Sequence, residues 1–138
     1  MIERGTDARW LRGFERPGLW LALWFGLFGL VATGSLVSSA DLPEVSIAHF
    51  DKVQHFVGYA ALSGYAVMLF ARLRTQALMA LAVIGFGIAL EVAQATLTPD
   101  RMGDAADVVA NSLGALAGLL LSATPVAHWL QRLDARLG

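Results

Sequence analysis

The chain has 138 residues, 57% of them apolar and 15% charged, with no cysteine and a formal net charge of −1. Soluble domains carry about 25% charged residues, so this balance, with a mean hydropathy of +0.60, points to a bilayer rather than to water. Disulfides, thiolate metal sites and a cysteine nucleophile are excluded, and no basic patch offers a nucleic-acid surface.

Residues 1–17 form an arginine-rich arm in which Trp10, Leu11 and Phe14 have helical spacing, which predicts a short helix along the membrane surface. An apolar segment follows at residues 18–37, with Trp20 and Trp24 placed as interfacial anchors. Ser38, Ser39 and Ala40 resemble a signal-peptidase site. However, an apolar core of about 19 residues exceeds the 7 to 15 of signal peptides, and Glu3, Asp7 and Glu15 sit among the arginines, so the segment is read as an uncleaved span. Further apolar segments cover residues 53–71, 77–97 and 108–124. Each has about 17 to 21 residues, the length a helix needs to cross roughly 30 Å of hydrocarbon, where backbone amides find no water and must pair within the helix. Pro125 ends the last segment. Beyond it Val126, Trp129, Leu130, Leu133 and Leu137 recur at helical spacing with arginines between them. The expectation is an all-α, four-helix transmembrane bundle with short interfacial helices at both termini: an arm at 1–17, a membrane domain at 18–124 and an amphipathic tail at 125–138.

Arg4, Arg9, Arg12, Arg16, Arg72, Arg74, Arg132 and Arg136 flank one side of such a bundle, and only Lys52 and Arg101 flank the other. The positive-inside rule then predicts a multi-pass protein of the bacterial inner membrane with both termini cytoplasmic. Asp41, Glu44, Asp51, Glu91, Asp100, Asp104 and Asp107 belong to the outer side.

The polar residues inside the segments gather toward that side. At about 1.5 Å per residue, Asp51 and Lys52 fall about 27 to 29 Å from the inner boundary, with His55 one turn deeper and Tyr59 two. Glu91 lies about 21 Å along its helix, Gln94 near the outer edge, and Asp107 and Asn111 open the last helix. Asp51, His55 and Tyr59 step by four, Glu91 and Gln94 by three, and Asp104, Asp107, Asn111, Gly114 and Gly118 by three and four, so each set is one stripe. A charge at the centre of a membrane helix costs about 2.5 to 3.5 kcal/mol on insertion scales, so these stripes are expected to face one interior site.

The run Asp51-Lys52-Val53-Gln54-His55-Phe56, with Tyr59 one turn on, resembles the first signature of the VanZ-like family of small membrane proteins. Glu91-Val92-Ala93-Gln94, followed by Pro99, Arg101, Asp104, Asp107, Asn111 and Gly114, resembles its second. The resemblance spans residues 51–121 and implies a membrane protein related to glycopeptide (teicoplanin) resistance.

Chemically, His55 beside Glu91 or Asp107 has the makings of a general base, since a neighbouring carboxylate fixes its tautomer and stabilises its charged form. Glu91 would share the proton transfer, Asp107 would orient, and Lys52 and Arg101 would hold an anionic headgroup. Asp51, Tyr59, Gln94, Asp104 and Asn111 complete the expected binding set. The partners expected are membrane lipids and a lipid-linked envelope precursor or glycopeptide. Each residue also has a structural explanation: Glu91, Gln94 and Asn111 as interhelical fastening, Asp104 and Asp107 as helix caps, and Lys52 and Arg101 as their ion-pair partners. His55, Glu91, Asp104 and Asp107 supply donors for a divalent ion, but no zinc motif is completed and no cofactor is assigned. His49 is expected on the outer loop and His128 at the opposite side. Gly114 and Gly118 fit either packing within the bundle or homodimerisation. Ion conduction is not expected, because the polar groups do not continue to the inner end.

Overall fold

The computed structural model describes residues 9–37, 49–97 and 103–138, and these are predominantly helical. The elements are α1 (Pro17–Leu36), α2 (Phe50–Leu69), α3 (Leu73–Leu97), α4 (Ala105–Leu120) and α5 (Trp129–Leu137), with two tight 3-10 turns, Leu121–Ala123 and Pro125–His128, joining the last two. Three helices are long and apolar enough to cross a membrane: α1, α3, and α4 with the turn that extends it. The 20 residues of α2 have the length, about 30 Å, but Asp51, Lys52, Gln54 and His55 make its first third polar.

The side-chain pairings give the helix directions. Lys52 meets Asp107, His55 meets Asn111 and the backbone at Ala60 faces Gly118, so partners advance together and α2 runs parallel to α4. Between α2 and α3 the order reverses, with His55 beside Glu91 and Tyr59 beside Gly87. The α1 pairings, Trp24 Nε1 to Leu62 O and Tyr65 Oη to Trp20 O, also run opposite to α2. The four long helices therefore alternate up and down, the arrangement that short connections favour.

Small residues let the parallel pair approach. A Cβ at Gly114 would overlap the Phe56 carbonyl, and one at Gly118 would lie 2.5 Å from Ala60 O and 2.7 Å from Gly64 N. This glycine stripe packs inside the bundle. Large apolar residues point the other way: Leu23, Phe25, Leu30, Leu81, Leu113 and Leu120 are exposed, whereas Ala66, Ala80 and Ala115 are buried. Large side chains such as Trp24, Tyr59 and Leu62 are also buried, so it is the exposed apolar surface, with small residues at the close helix contacts, that fits a covering of lipid rather than water.

The N-terminal arm corrects one expectation. Residues 9–16 form no helix; Leu11 pairs antiparallel with Phe70, with Arg12 N–H donating to Leu69 O and Ala71 N–H to Trp10 O, both at 2.9 Å. The last carbonyls of α2 lack helical partners, and the arm supplies them. The Arg12 guanidinium adds two bonds to Val67 O at 3.3 Å, while Gln76 Nε2 donates to Phe70 O at 2.8 Å. Trp10 stacks on Phe70 with ring centroids 5.6 Å apart. The tail is helical as expected, and Leu130 and Leu133 pack onto the cluster around Trp20, Trp24, Leu69 and Phe70.

Candidate functional site

One end of the bundle collects the polar stripes of α2, α3 and α4. α4 starts there because Asp104, in extended conformation, caps it: its carboxylate accepts from Ala106 N–H at 2.8 Å. Asp107 follows in the first turn, where a carboxylate suits the positive end of the helix dipole. The Asp104 N–H in turn donates to Glu91 Oε2 of α3 at 3.2 Å, so α3 fixes where α4 begins.

Lys52 organises the rim. Its ammonium lies 2.9 Å from Asp51 and 2.7 Å from Asp104, and also bonds Asp107 Oδ1. The Lys52 ammonium and the Ala106 amide hold the Asp104 carboxyl below the usual carboxylate range. The other oxygen of Asp107, Oδ2, stands 3.7 Å from His55 Nε2, and both side chains are mostly covered, at 14% and 15% exposure. His55 Nδ1 lies 3.0 Å from Asn111 Oδ1. If Nδ1 carries the proton, it donates to that carbonyl and Nε2 keeps its lone pair toward the carboxylates.

Glu91 completes the centre: one donor atom each from His55, Glu91 and Asp107 lies within 4.8 Å of the other two. Glu91 is 6% exposed, and among the described residues only Asp104 N–H bonds its carboxylate. Asn111 is likewise buried, and its Nδ2 has no hydrogen-bond partner among the described residues.

The remaining expected site residues divide. Tyr59 is buried one turn below His55, its ring over Gly87 and tilted against Phe86 at 6.3 Å. Gln94 donates to Ser35 O and so fastens α3 to the end of α1. Arg101 and Pro99 lie outside the described residues. His49 opens α2 in the left-handed region, φ 62°, and His128 is at the far end beside Arg12.

A model of the family VanZ/LLP1 matches residues 13–127. The chain belongs to the VanZ/LLP1 family. Together with its apolar helices, this makes it a VanZ-like membrane protein. The matched span takes in every member of the polar cluster. Comparison with curated proteins and with solved structures gives no match.

Sequence reasoning undervalued two positions, Gly87 in this VanZ site and Asp134 at the opposite end of the bundle. A Cβ at Gly87 would stand 2.8 Å from the Tyr59 ring and 3.1 Å from Asn111 Nδ2, so glycine keeps the space that both side chains fill. Asp134, 1% exposed on α5, accepts from Trp20 Nε1 at 2.7 Å and from the Glu15 amide, and so ties the tail to the start of α1. Its spacing from Leu130 and Leu137 puts it on the apolar face of α5, a signal the sequence does carry.

Proposed function

We propose that this VanZ-family protein is a four-pass enzyme of the bacterial inner membrane, with cytoplasmic termini, that acts on the polar headgroup of a lipid or lipid-linked envelope precursor. The observation that carries the reading is the convergence of His55, Glu91 and Asp107 from three helices to within 4.8 Å. Three groups able to take up or release a proton, buttressed from behind, suit the activation of a water or hydroxyl beside a headgroup. Asp107 orients His55, and Arg101, whose position lies outside the described residues, is the cation proposed to meet anionic oxygens, since Lys52 is already engaged by Asp51, Asp104 and Asp107. The outer leaflet supplies the substrate, because eight of ten cationic residues flank the opposite end. Glycopeptide tolerance is the cellular trait in which such a change of the envelope would be read.

The test compares polar-lipid and lipid-linked precursor profiles of cells expressing the wild type, His55→Asn or Glu91→Gln. General acid–base groups contribute about 10²–10⁴-fold, so both variants should lose the converted species by at least about 100-fold while purifying as folded, helical protein. Full conversion by both variants overturns the reading.

A second reading is favoured by two contacts, Gln94 to Ser35 O and Glu91 to Asp104 N–H, which join helices and need no ligand. The protein is then a non-catalytic scaffold or capture site. It predicts unchanged profiles on expression of the wild type, and any covalently altered headgroup removes it.

A further inference from the structure

The three central side chains share a pattern that proton transfer alone does not require. Each has one polar atom engaged by a supporting group, and the other remains available. His55 has Asn111 at Nδ1, leaving Nε2. Asp107 gives Oδ1 to Lys52, leaving Oδ2 3.7 Å from that Nε2. Glu91, a buried residue, gives Oε2 to Asp104 N–H, leaving Oε1 without a hydrogen bond among the described residues. An imidazole fixed through Nδ1 and carboxylates held through their outer oxygens are how proteins orient ligands to a metal, since the outer partners set tautomer and direction.

Charge points the same way. Among the described residues Asp51, Asp104 and Asp107 stand around Lys52, with Glu91 behind, so four carboxylates face one ammonium. An anionic headgroup approaching that set meets net negative charge, whereas a divalent cation is attracted and then presents a positive face to the headgroup. Size is also compatible. Ligand atoms around a zinc-sized ion with bonds of about 2.1 Å are separated by about 3.0 to 3.4 Å when adjacent and about 4.2 Å when opposite. The 3.7 Å between Nε2 and Oδ2 exceeds the adjacent separation by only a few tenths of an ångström, and the 4.8 Å limit requires a closure of under about 2 Å.

We propose that His55 Nε2, Asp107 Oδ2 and a carboxylate oxygen of Glu91 bind a zinc-type divalent cation, which bridges this protein to the anionic oxygens of its headgroup substrate. The inference rests on the preceding reading of the cluster as a headgroup site and replaces proton transfer by His55 with ligation, since its Nε2 lone pair is committed to the ion. One nitrogen and two oxygen ligands leave coordination positions open for water and substrate, as in catalytic rather than structural zinc sites. Asn111 acts as a positioning residue: it touches the histidine, not the ion.

The experiment is titration of detergent-purified, metal-stripped full-length protein with ZnCl2, followed by calorimetry and by elemental analysis after gel filtration. The expected result is one ion per chain. Affinity should fall at least tenfold in His55→Asn and Asp107→Asn and about 10- to 100-fold in Asn111→Leu, which removes no ligand. His128→Asn, at the opposite end, should bind as the wild type does. Helicity and elution volume confirm folding of each variant. No stoichiometric binding by the wild type, or equal affinity in His55→Asn, overturns the inference. So does loss of binding confined to His128→Asn, which would mark a surface histidine as the ligand. Headgroup conversion that persists in metal-stripped protein rejects the cation and spares the enzyme reading. Stoichiometric zinc at these residues with no conversion supports the cation and rejects the enzyme.

Discussion

A carboxylate with 1% of its surface exposed has to be met by donors, and Asp134 is met by a different helix from its own. α1 begins after Arg16 with no side chain of its own capping it, and Pro17 leaves no amide at its first position. Asp134 accepts from the Glu15 and Arg16 amides and from Trp20 Nε1 instead, a negative charge placed at a helix N-terminus. Burial pushes its pKa up, but these hydrogen bonds and the Arg16 charge outweigh it, and the carboxyl is held below its usual range. With the folded pKa depressed, its stabilisation is fully present above the unfolded value of about 3.9 and is lost as pH falls through the folded one. Asp134→Asn should therefore melt below the wild type at pH 7 in detergent, with the gap narrowing as pH is lowered below about 4. Trp20→Phe removes one hydrogen bond to a charged group and should cost about 1.5 to 3 kcal/mol, measured by reversible thermal or denaturant unfolding.

Between elements, the decisive contact is the parallel seam of α2 and α4. Gly114 and Gly118 permit it, since any Cβ there would run into the α2 backbone. Gly114→Ala should push the helices apart and destabilise the bundle by about 1 to 3 kcal/mol. Gly29→Ala, in α1, meets nothing within 4 Å and should stabilise by up to about 1 kcal/mol through helix propensity. Unfolding of both variants in mixed micelles, run side by side, separates the two effects; equal responses would deny the seam its role. The stripe was legible in the sequence because helical periodicity carries Asp107, Asn111, Gly114 and Gly118 onto one face, and that face does meet α2. Whether it served the bundle or a dimer was not legible, since close approach requires small residues in either case. The arm was misjudged for a similar reason. Trp10, Leu11 and Phe14 satisfy a helical period, but the chain there answers to the unpaired carbonyls at the end of α2, which lie more than fifty residues away.

For the whole molecule, the asymmetry between its two ends is what a membrane makes meaningful. Polar groups in long apolar segments are few and conspicuous, so the membership of the cluster could be read before any coordinates: His55, Glu91, Asp107 and Asn111 come together on three helices. The individual partners could not, because side-chain hydrogen bonds depend on helix rotation and depth at the level of single ångströms. The opposite end carries Trp10, the Arg12 clamp and α5, with Asp134 closing the ring back to α1. If the positive-inside rule orients the bundle, these two ends face different compartments. The chain lacks cysteine, so single-cysteine variants report position without background. Thr96→Cys, at the cluster end of α3, should react with an impermeant maleimide on intact spheroplasts, whereas Arg72→Cys and Arg132→Cys should react only after permeabilisation. The reverse pattern would turn the cluster to the cytoplasm and make the substrate a cytoplasmic one. Labelling of Thr96→Cys and Arg132→Cys from the same side cannot come from four alternating spans, because the alternation places the end of α3 and the end of α4 on opposite faces.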